Sequence, residues 1–380
     1  MSASVERGHE ARLPDAARHP HAAAVLGPAL APGGRPSHAY LFHGPAGSGK
    51  RAIARGVAAA LLAEGAASPD TVAERVGRDS HPDLTWVRPS GAAEMLVGDI
   101  DEPVVAAATR TPFESRRRVF VIESAETMND QAANRLLKTL EEPAPFAHLL
   151  LLSDRLADVL PTIVSRCQLV RFDPLAPELI ERLVEEAGAG GETARACARL
   201  AMGDAALALR LSSEGGQALR AAAESFARSA LAGETGGRPW LELLEASRAA
   251  GASAGEIAAE RLAGELEMLP SKERKRHERE ALEARRRGER RARTGTLELG
   301  LQLAELWLRD VLCVMKGAPE LIFSVDRRAQ LDEDAERLGG QDSRAERAIE
   351  LVGATRLSLA VNVSEELALE ALAYEIGTPG

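Results

Sequence analysis

The residues best equipped for chemistry stand together near the N-terminus, in Gly44-Pro45-Ala46-Gly47-Ser48-Gly49-Lys50-Arg51. Gly44, Gly47 and Gly49 let backbone N–H groups close around an anion, with Ser48 between them, and Lys50 sets a cation at its outer edge. The spacing G-x-x-x-x-G-K is that of a phosphate-binding loop when a strand leads in and a helix leads out. Both are legible. Apolar Ala39–His43 precedes the loop, and a helical pattern from Arg51 to Leu62 follows it. The N-terminus of that helix adds partial positive charge to the cradle.

The position after the lysine calls for Ser or Thr, whose hydroxyl binds magnesium. Arg51 stands there instead, and a guanidinium has no acceptor with which to ligate a metal. Two readings of Arg51 stay open: a donor to phosphate, or a helix residue turned to solvent. The second half of such a site is an apolar strand ending in carboxylates that hold magnesium and orient the attacking water. Val119–Ile122 is that strand, and it ends in Glu123-Ser124. Glu123 either meets a metal or closes a surface salt bridge, and the hydroxyl of Ser124 is a poor base for water. Hydrolysis by this chain alone is therefore not expected. No metal and no required cofactor are expected, and ATP held without turnover stays open.

The elements that must position these residues alternate between strand and helix. Ala39–His43, Leu84–Val87, Val119–Ile122, Leu149–Leu152 and Gln168–Phe172 read as strands with helix-length segments between them, which predicts a mainly parallel sheet covered on both faces. The leucine run 149–152 suits a strand buried on both sides. After Asp173-Pro174 the pattern turns helical, with Leu175, Ile180, Leu183, Val184, Cys197, Leu200, Ala201, Leu207 and Leu209 at helical spacing. The reading is an α/β P-loop domain over 1–173, a small helical lid module over 174–213 and an all-α domain over 214–380.

Composition limits the alternatives. The 380 residues carry 47 basic and 57 acidic side chains, a formal charge of −10 that argues against a surface coated for phosphate. Only five of the basic residues are lysine, and two of those are Lys50 and Lys138. Few aromatics argue against base stacking on rings. The three cysteines, Cys167, Cys197 and Cys313, lack CxxC spacing, which excludes a cysteine-rich zinc site and fits a reducing, cytoplasmic setting. The start MSASVERGHEARLPDAARHP is too charged and proline-broken for a signal peptide, and no membrane span is expected.

Four further motifs carry a resemblance. Ser37–Phe42 leads into the loop, His81-Pro82-Asp83 precedes the second strand, Asn134-Arg135-Leu136-Leu137-Lys138-Thr139-Leu140-Glu141-Glu142-Pro143 follows the Glu123 strand, and Ser165-Arg166-Cys167 precedes the last one. Together they resemble the clamp-loader branch of the AAA+ family, strongly over about 15–210 and weakly again from Asn362-Val363-Ser364 to Leu372. Leu136, Leu137 and Leu140 share one helix face, and Pro143 ends the helix. Asn134 and Lys138 either make a specific contact or belong to an ordinary packing helix.

The resemblance implies that Arg166 is an arginine finger, given in trans to the ATP site of a neighbouring subunit. The competing reading is a loop arginine paired with a local carboxylate. It also implies departures: Ala206 stands where active members carry a phosphate-sensing arginine, and residues 63–83 lack the cysteines of the zinc module found in related subunits, so no zinc is expected. Residues 272–293 hold 11 Lys/Arg and 5 Glu, with Glu283/Arg287 and Glu289/Arg293 at i,i+4 spacing. They read either as a basic face for DNA or a partner, or as a solvated helix. An amphipathic stretch at Leu297, Leu301, Leu303, Leu306, Trp307 and Val311 follows.

The resemblance thus implies a stator subunit of the DNA polymerase III clamp loader, acting in DNA replication as one component of the holoenzyme. Its partners would be the gamma/tau-type motor subunits and the delta subunit, with the sliding clamp and primed DNA reached through the assembly. The alternatives are a hydrolysing motor subunit of the same loader, and a stand-alone P-loop ATPase or kinase.

Overall fold

The computed structural model describes residues 18–89, 94–267, 271–359 and 364–378, without the side chains at 260–281, 283, 284 and 287. The start of the chain, the side chains of the basic 272–281 stretch and of Glu283 and Arg287, and Asn362 and Val363 lie outside the described residues. The chain forms two compact units, Met1–Leu175 and Ala176–Gly380.

The first unit is built on five parallel strands, β1 (Ala39–His43), β2 (Leu84–Val87), β3 (Arg118–Ile122), β4 (Ala147–Ser153) and β5 (Gln168–Arg171), in the order β2-β3-β4-β1-β5. In register, Leu41 faces Leu151 on one side and Leu169 on the other, and Phe120 faces Leu149. The helices are α1 (Pro20–Leu30), α2 (Lys50–Leu62), α3 (Pro69–Gly77), α4 (Val97–Ile100, continuing as π-helical turns over Asp101–Ala106), α5 (Asp130–Glu141) and α6 (Pro161–Val164).

Strand parity divides the interior into two cores. Leu41, Phe120, Ile122, Leu149 and Leu151 pack with Leu136 and Leu140 of α5, whereas Tyr40, Phe42, Val121, Leu150 and Leu152 pack with Ile53, Val57 and Leu61 of α2. The leucine run is needed because successive side chains feed opposite cores. β4 is longer than its apolar run, taking in His148, which is buried yet satisfied. The Ser37 carbonyl 2.9 Å from Nδ1 can only accept and the Arg117 guanidinium 2.8 Å from Nε2 can only donate, so the proton sits on Nδ1. Burial, reinforced by Arg117, lowers the His148 pKa to about 4.

α5 begins four residues ahead of Asn134. Asn129 caps it, its Oδ1 accepting the Ala132 N–H at 2.9 Å, and Pro143 follows its end. Its inner face is the expected one, with Leu136 and Leu140 buried and Leu137 half-buried.

The second unit is helical throughout its described residues: α7 (Pro177–Glu186), α8 (Gly191–Leu200), α9 (Ala205–Ser212), α10 (Glu214–Ala232), α11 (Trp240–Glu267), α12 (Ser271–Met315), α13 (Arg328–Leu338), α14 (Asp342–Leu359) and α15 (Glu365–Gly377). Ile180, Val184, Cys197 and Leu200 are buried, but Leu209 is exposed. Because α9 starts at Ala205, its inward stripe falls on Ala208 and Leu211. Leu297, Leu301, Leu303, Trp307 and Val311 of α12 are buried, and the Trp307 indole donates to Asp334 at 3.0 Å. Glu289 pairs with Arg285, and Arg293 with Glu365 at the start of α15, rather than with each other. Among the described residues no helix is long and apolar enough to cross a membrane.

Candidate functional site

The strand order explains why the chemical residues meet. β1 delivers the glycine loop, its neighbour β4 ends at Ser153 with Asp154 next, and β3 is followed by Glu123-Ser124, all at the carboxyl edge of one parallel sheet. This edge is where open α/β sheets collect ligands.

Gly44 is fixed by packing as much as by chemistry. Its φ is +150°, and a Cβ there would stand 2.1 Å from the Phe172 carbonyl oxygen. Gly49, at φ +87°, caps α2 against the His19 imidazole, whose Nε2 lies 2.8 Å from where a Cβ would be. Ser48 is buried beneath the loop.

Lys50 is 5% exposed and turns back onto its own loop. Its Nζ donates to the carbonyls of Gly44 at 2.7 Å and Pro45 at 2.6 Å, lies 3.3 Å from Ser48 Oγ, and pairs with Asp154 at 2.8 Å. An ammonium has three protons, and two carbonyls and a carboxylate account for them. Asp154 was not singled out in the sequence. The signal for it is its place immediately after the strand beside β1.

Arg51 does not turn away from the site. Its guanidinium reaches Glu123 Oε2 at 2.6 Å, with the arginine side chain 72% exposed and the glutamate side chain 4%. The other oxygen, Oε1, accepts from the Trp86 indole at 2.5 Å and from Arg88 Nε at 3.1 Å. Arg55, one turn after Arg51 on α2, stacks on Trp86 at 4.4 Å and pairs with Asp79 at 2.5 Å. The carboxylate at the metal-holding position is therefore occupied by side-chain donors on both oxygens.

Ser124 adopts a left-handed conformation, φ 55° and ψ 49°, and its carbonyl accepts from Thr127 N at 2.9 Å and Oγ1 at 2.7 Å. Its backbone organises a turn. Among the described residues no cluster of His, Cys, Asp and Glu is arranged to hold a metal ion.

His81-Pro82-Asp83 is a loop clamp. The buried Asp83 carboxylate accepts the N–H groups of Phe113 at 2.5 Å, Glu114 at 2.9 Å and Ser115 at 2.8 Å. Burial works to raise its pKa, but those amides carry it below the usual carboxylate value. Phe113 itself is 85% exposed at the tip of the pinned loop, a residue that the sequence did not single out.

Arg166 follows α6 and is partly exposed. It pairs with Glu141 at the end of α5, with Nε 3.0 Å and a terminal nitrogen 2.6 Å from Oε1, and its NH1 donates to the Thr162 carbonyl at 2.9 Å. Cys167 beside it packs on the α5 core, and burial pushes its thiol up to about 12, which removes it as a nucleophile. Asn134 and Lys138 are exposed one turn apart on α5. In the second unit, Ala206 is exposed in the first turn of α9, where Asp204 caps Leu207 N at 2.8 Å.

Comparison with known proteins falls on the same region. Residues 19–176 match the family model described as DNA polymerase III, delta subunit. A delta' subunit of Pseudomonas aeruginosa is 41% identical over 136 residues, 34% of this chain and 42% of that one. A delta' subunit of Bacillus subtilis is 37% identical over 159 residues, 40% of this chain and 47% of that one. A gamma/tau subunit of Mycobacterium bovis is 34% identical over 177 residues, 44% of this chain and 30% of that one. The chain thus spans less than half the length of the curated relatives it matches. The matched residues 19–176 coincide with the parallel sheet and its glycine loop, a P-loop-type α/β unit. The chain is thus similar, over part of its length, to delta' subunits of DNA polymerase III.

Proposed function

We propose that the chain acts in DNA replication as a stator-type delta' subunit, joining gamma/tau-type motor subunits and a delta subunit in a cytoplasmic clamp loader. The assembly would place a sliding clamp on primed DNA. The observation that carries the non-hydrolysing part of this reading is the Arg51–Glu123 ion pair, which sets a fixed cation where a metal-dependent site needs an open carboxylate. Ser124 offers no carboxylate base, so the two positions after β3 present neither an open metal ligand nor a water-activating carboxylate for phosphoryl transfer.

In this reading the chain contributes to ATP turnover through Arg166, presented to the site of an adjacent motor subunit, where a guanidinium offsets charge developing on the transferred phosphoryl group. Nucleotide at the chain's own loop is held, if at all, without turnover, and no cofactor is required. The test is reconstitution. Mixed with gamma/tau-type and delta subunits, the chain co-elutes in one complex and restores DNA-stimulated ATPase, while the purified chain turns over no ATP. Failure to co-elute, or turnover by the isolated chain at a motor subunit's rate, overturns the reading.

A further inference from the structure

Two motifs that are separate in sequence are joined in the fold. Glu141 ends α5, and Arg166 sits 25 positions later in the loop after α6. Between them run two contacts from Glu141 Oε1, to Nε at 3.0 Å and to a terminal nitrogen at 2.6 Å. A third anchor comes from the opposite edge of the guanidinium, where NH1 donates to the Thr162 carbonyl at 2.9 Å and lies 3.3 Å from Ser165 Oγ.

Glu141 is not needed to neutralise a buried charge. Its side chain is 49% exposed and that of Arg166 is 35%, so the pair contributes little to folding stability. What it fixes is direction. A guanidinium has five N–H donors; Nε, one proton of NH2 and both protons of NH1, toward Thr162 O and Ser165 Oγ, are directed into the chain, and the remaining NH2 proton is left for a ligand outside it. An arginine at such a site has several rotatable bonds, and holding four of its donors removes most of that freedom before any ligand arrives.

We propose that Glu141 is a positioning residue for Arg166, holding the guanidinium in the orientation in which its free NH2 donor meets the phosphoryl group of the neighbouring subunit's nucleotide. The proposal rests on the reading of Arg166 as a finger in trans. It assigns Glu141 no contact with nucleotide and no proton to move. It is distinct from a latch, in which the carboxylate would retain Arg166 and its removal would accelerate turnover.

The test is steady-state ATP turnover by the reconstituted assembly, with the motor sites not served by this chain silenced in their own loop lysines. Arg166→Ala is expected to lower kcat by roughly 10³-fold, the size seen for supplied arginine fingers. Glu141→Gln lowers kcat by about tenfold with KM unchanged, Glu141→Asp recovers part of that loss, and Glu141→Gln causes no further loss in the Arg166→Ala background. Thermal unfolding of the Glu141 variants matches the parent. Unchanged or faster turnover in Glu141→Gln, or a loss that persists beside Arg166→Ala, overturns the positioning role while leaving the finger intact. Unchanged turnover in Arg166→Ala removes the finger itself and the positioning role with it.

Discussion

Arg51 on α2 and Glu123 at the end of β3 form an ion pair of 2.6 Å across the mouth of the glycine loop. The two positions are those at which a hydrolysing P-loop protein assembles its magnesium site, and here they satisfy each other. The neighbours complete the change: Trp86 and Arg88 occupy the other carboxylate oxygen, and Lys50 is balanced by Asp154.

The pair is unequal, and its two halves should cost different amounts. Glu123→Ala leaves the Trp86 N–H and the Arg88 guanidinium without their acceptor beneath the loop, and we expect a loss of about 2–4 kcal/mol. Arg51→Ala removes a mostly exposed guanidinium and should cost under about 1 kcal/mol. Urea unfolding followed by circular dichroism measures both; equal losses would refute the asymmetry.

Magnesium should be irrelevant to any nucleotide held at this loop. Glu123 is engaged on both oxygens and no hydroxyl follows Lys50, so neither usual protein ligand is open to the metal. Equilibrium dialysis with labelled ATP is expected to give the same binding with 5-fold excess chelator as with excess magnesium, to within about 0.5 kcal/mol, a small increment on the affinity scale. A tenfold gain with magnesium would show that Arg51 yields to the ion.

His148 gives the stability a defined acid dependence. Its folded value of about 4 lies below the unfolded 6.5, so the unfolded chain takes up the proton first as pH falls. The contribution is complete above pH 6.5 and is lost between 6.5 and about 4, amounting to roughly 3 kcal/mol over that window. Asp83 acts lower down: its folded value is depressed, so its contribution persists above the ordinary carboxylate range and is lost as pH falls through the folded value. Denaturant midpoints taken from pH 7 to 4 should fall for the parent and stay nearly flat for His148→Gln. A parallel fall in both would assign the dependence elsewhere.

Ser124 offers a gain. A serine at φ 55° carries a Cβ penalty that glycine does not, and its hydroxyl is not what organises the turn. Ser124→Gly should therefore stabilise the domain by about 0.5–1 kcal/mol. A destabilised variant, read by the same unfolding curve, would mean that the hydroxyl matters.

Much of the first unit was legible because its signals are local. The loop spacing, the strand before it and the leucine run of β4 each follow from backbone geometry over a few residues. Strand limits at β4 and the start of α5 were less so. They are set by groups outside the apolar pattern: Arg117 and Ser37 allow His148 to be buried, and Asn129 starts α5 early. The site's partners were the least legible. The sequence leaves Arg51 as a phosphate donor or a solvent-facing residue, because its carboxylate lies 72 positions away along the chain and is brought near by strand order. Asp154, Trp86 and Glu141 belong to the same class. Each is an ordinary residue until the sheet places it beside a charge.

The Asp83 clamp has a consequence for the ring it carries. Phe113 projects from a segment whose three amides are already tied to one carboxylate, so the loop gives up its conformational freedom during folding. Covering that ring with a second surface would remove on the order of 150–200 Å² of apolar area from water with little additional ordering of the backbone. In mechanical terms it is a rigid peg: a contact there can form fast and with little adaptation on this side.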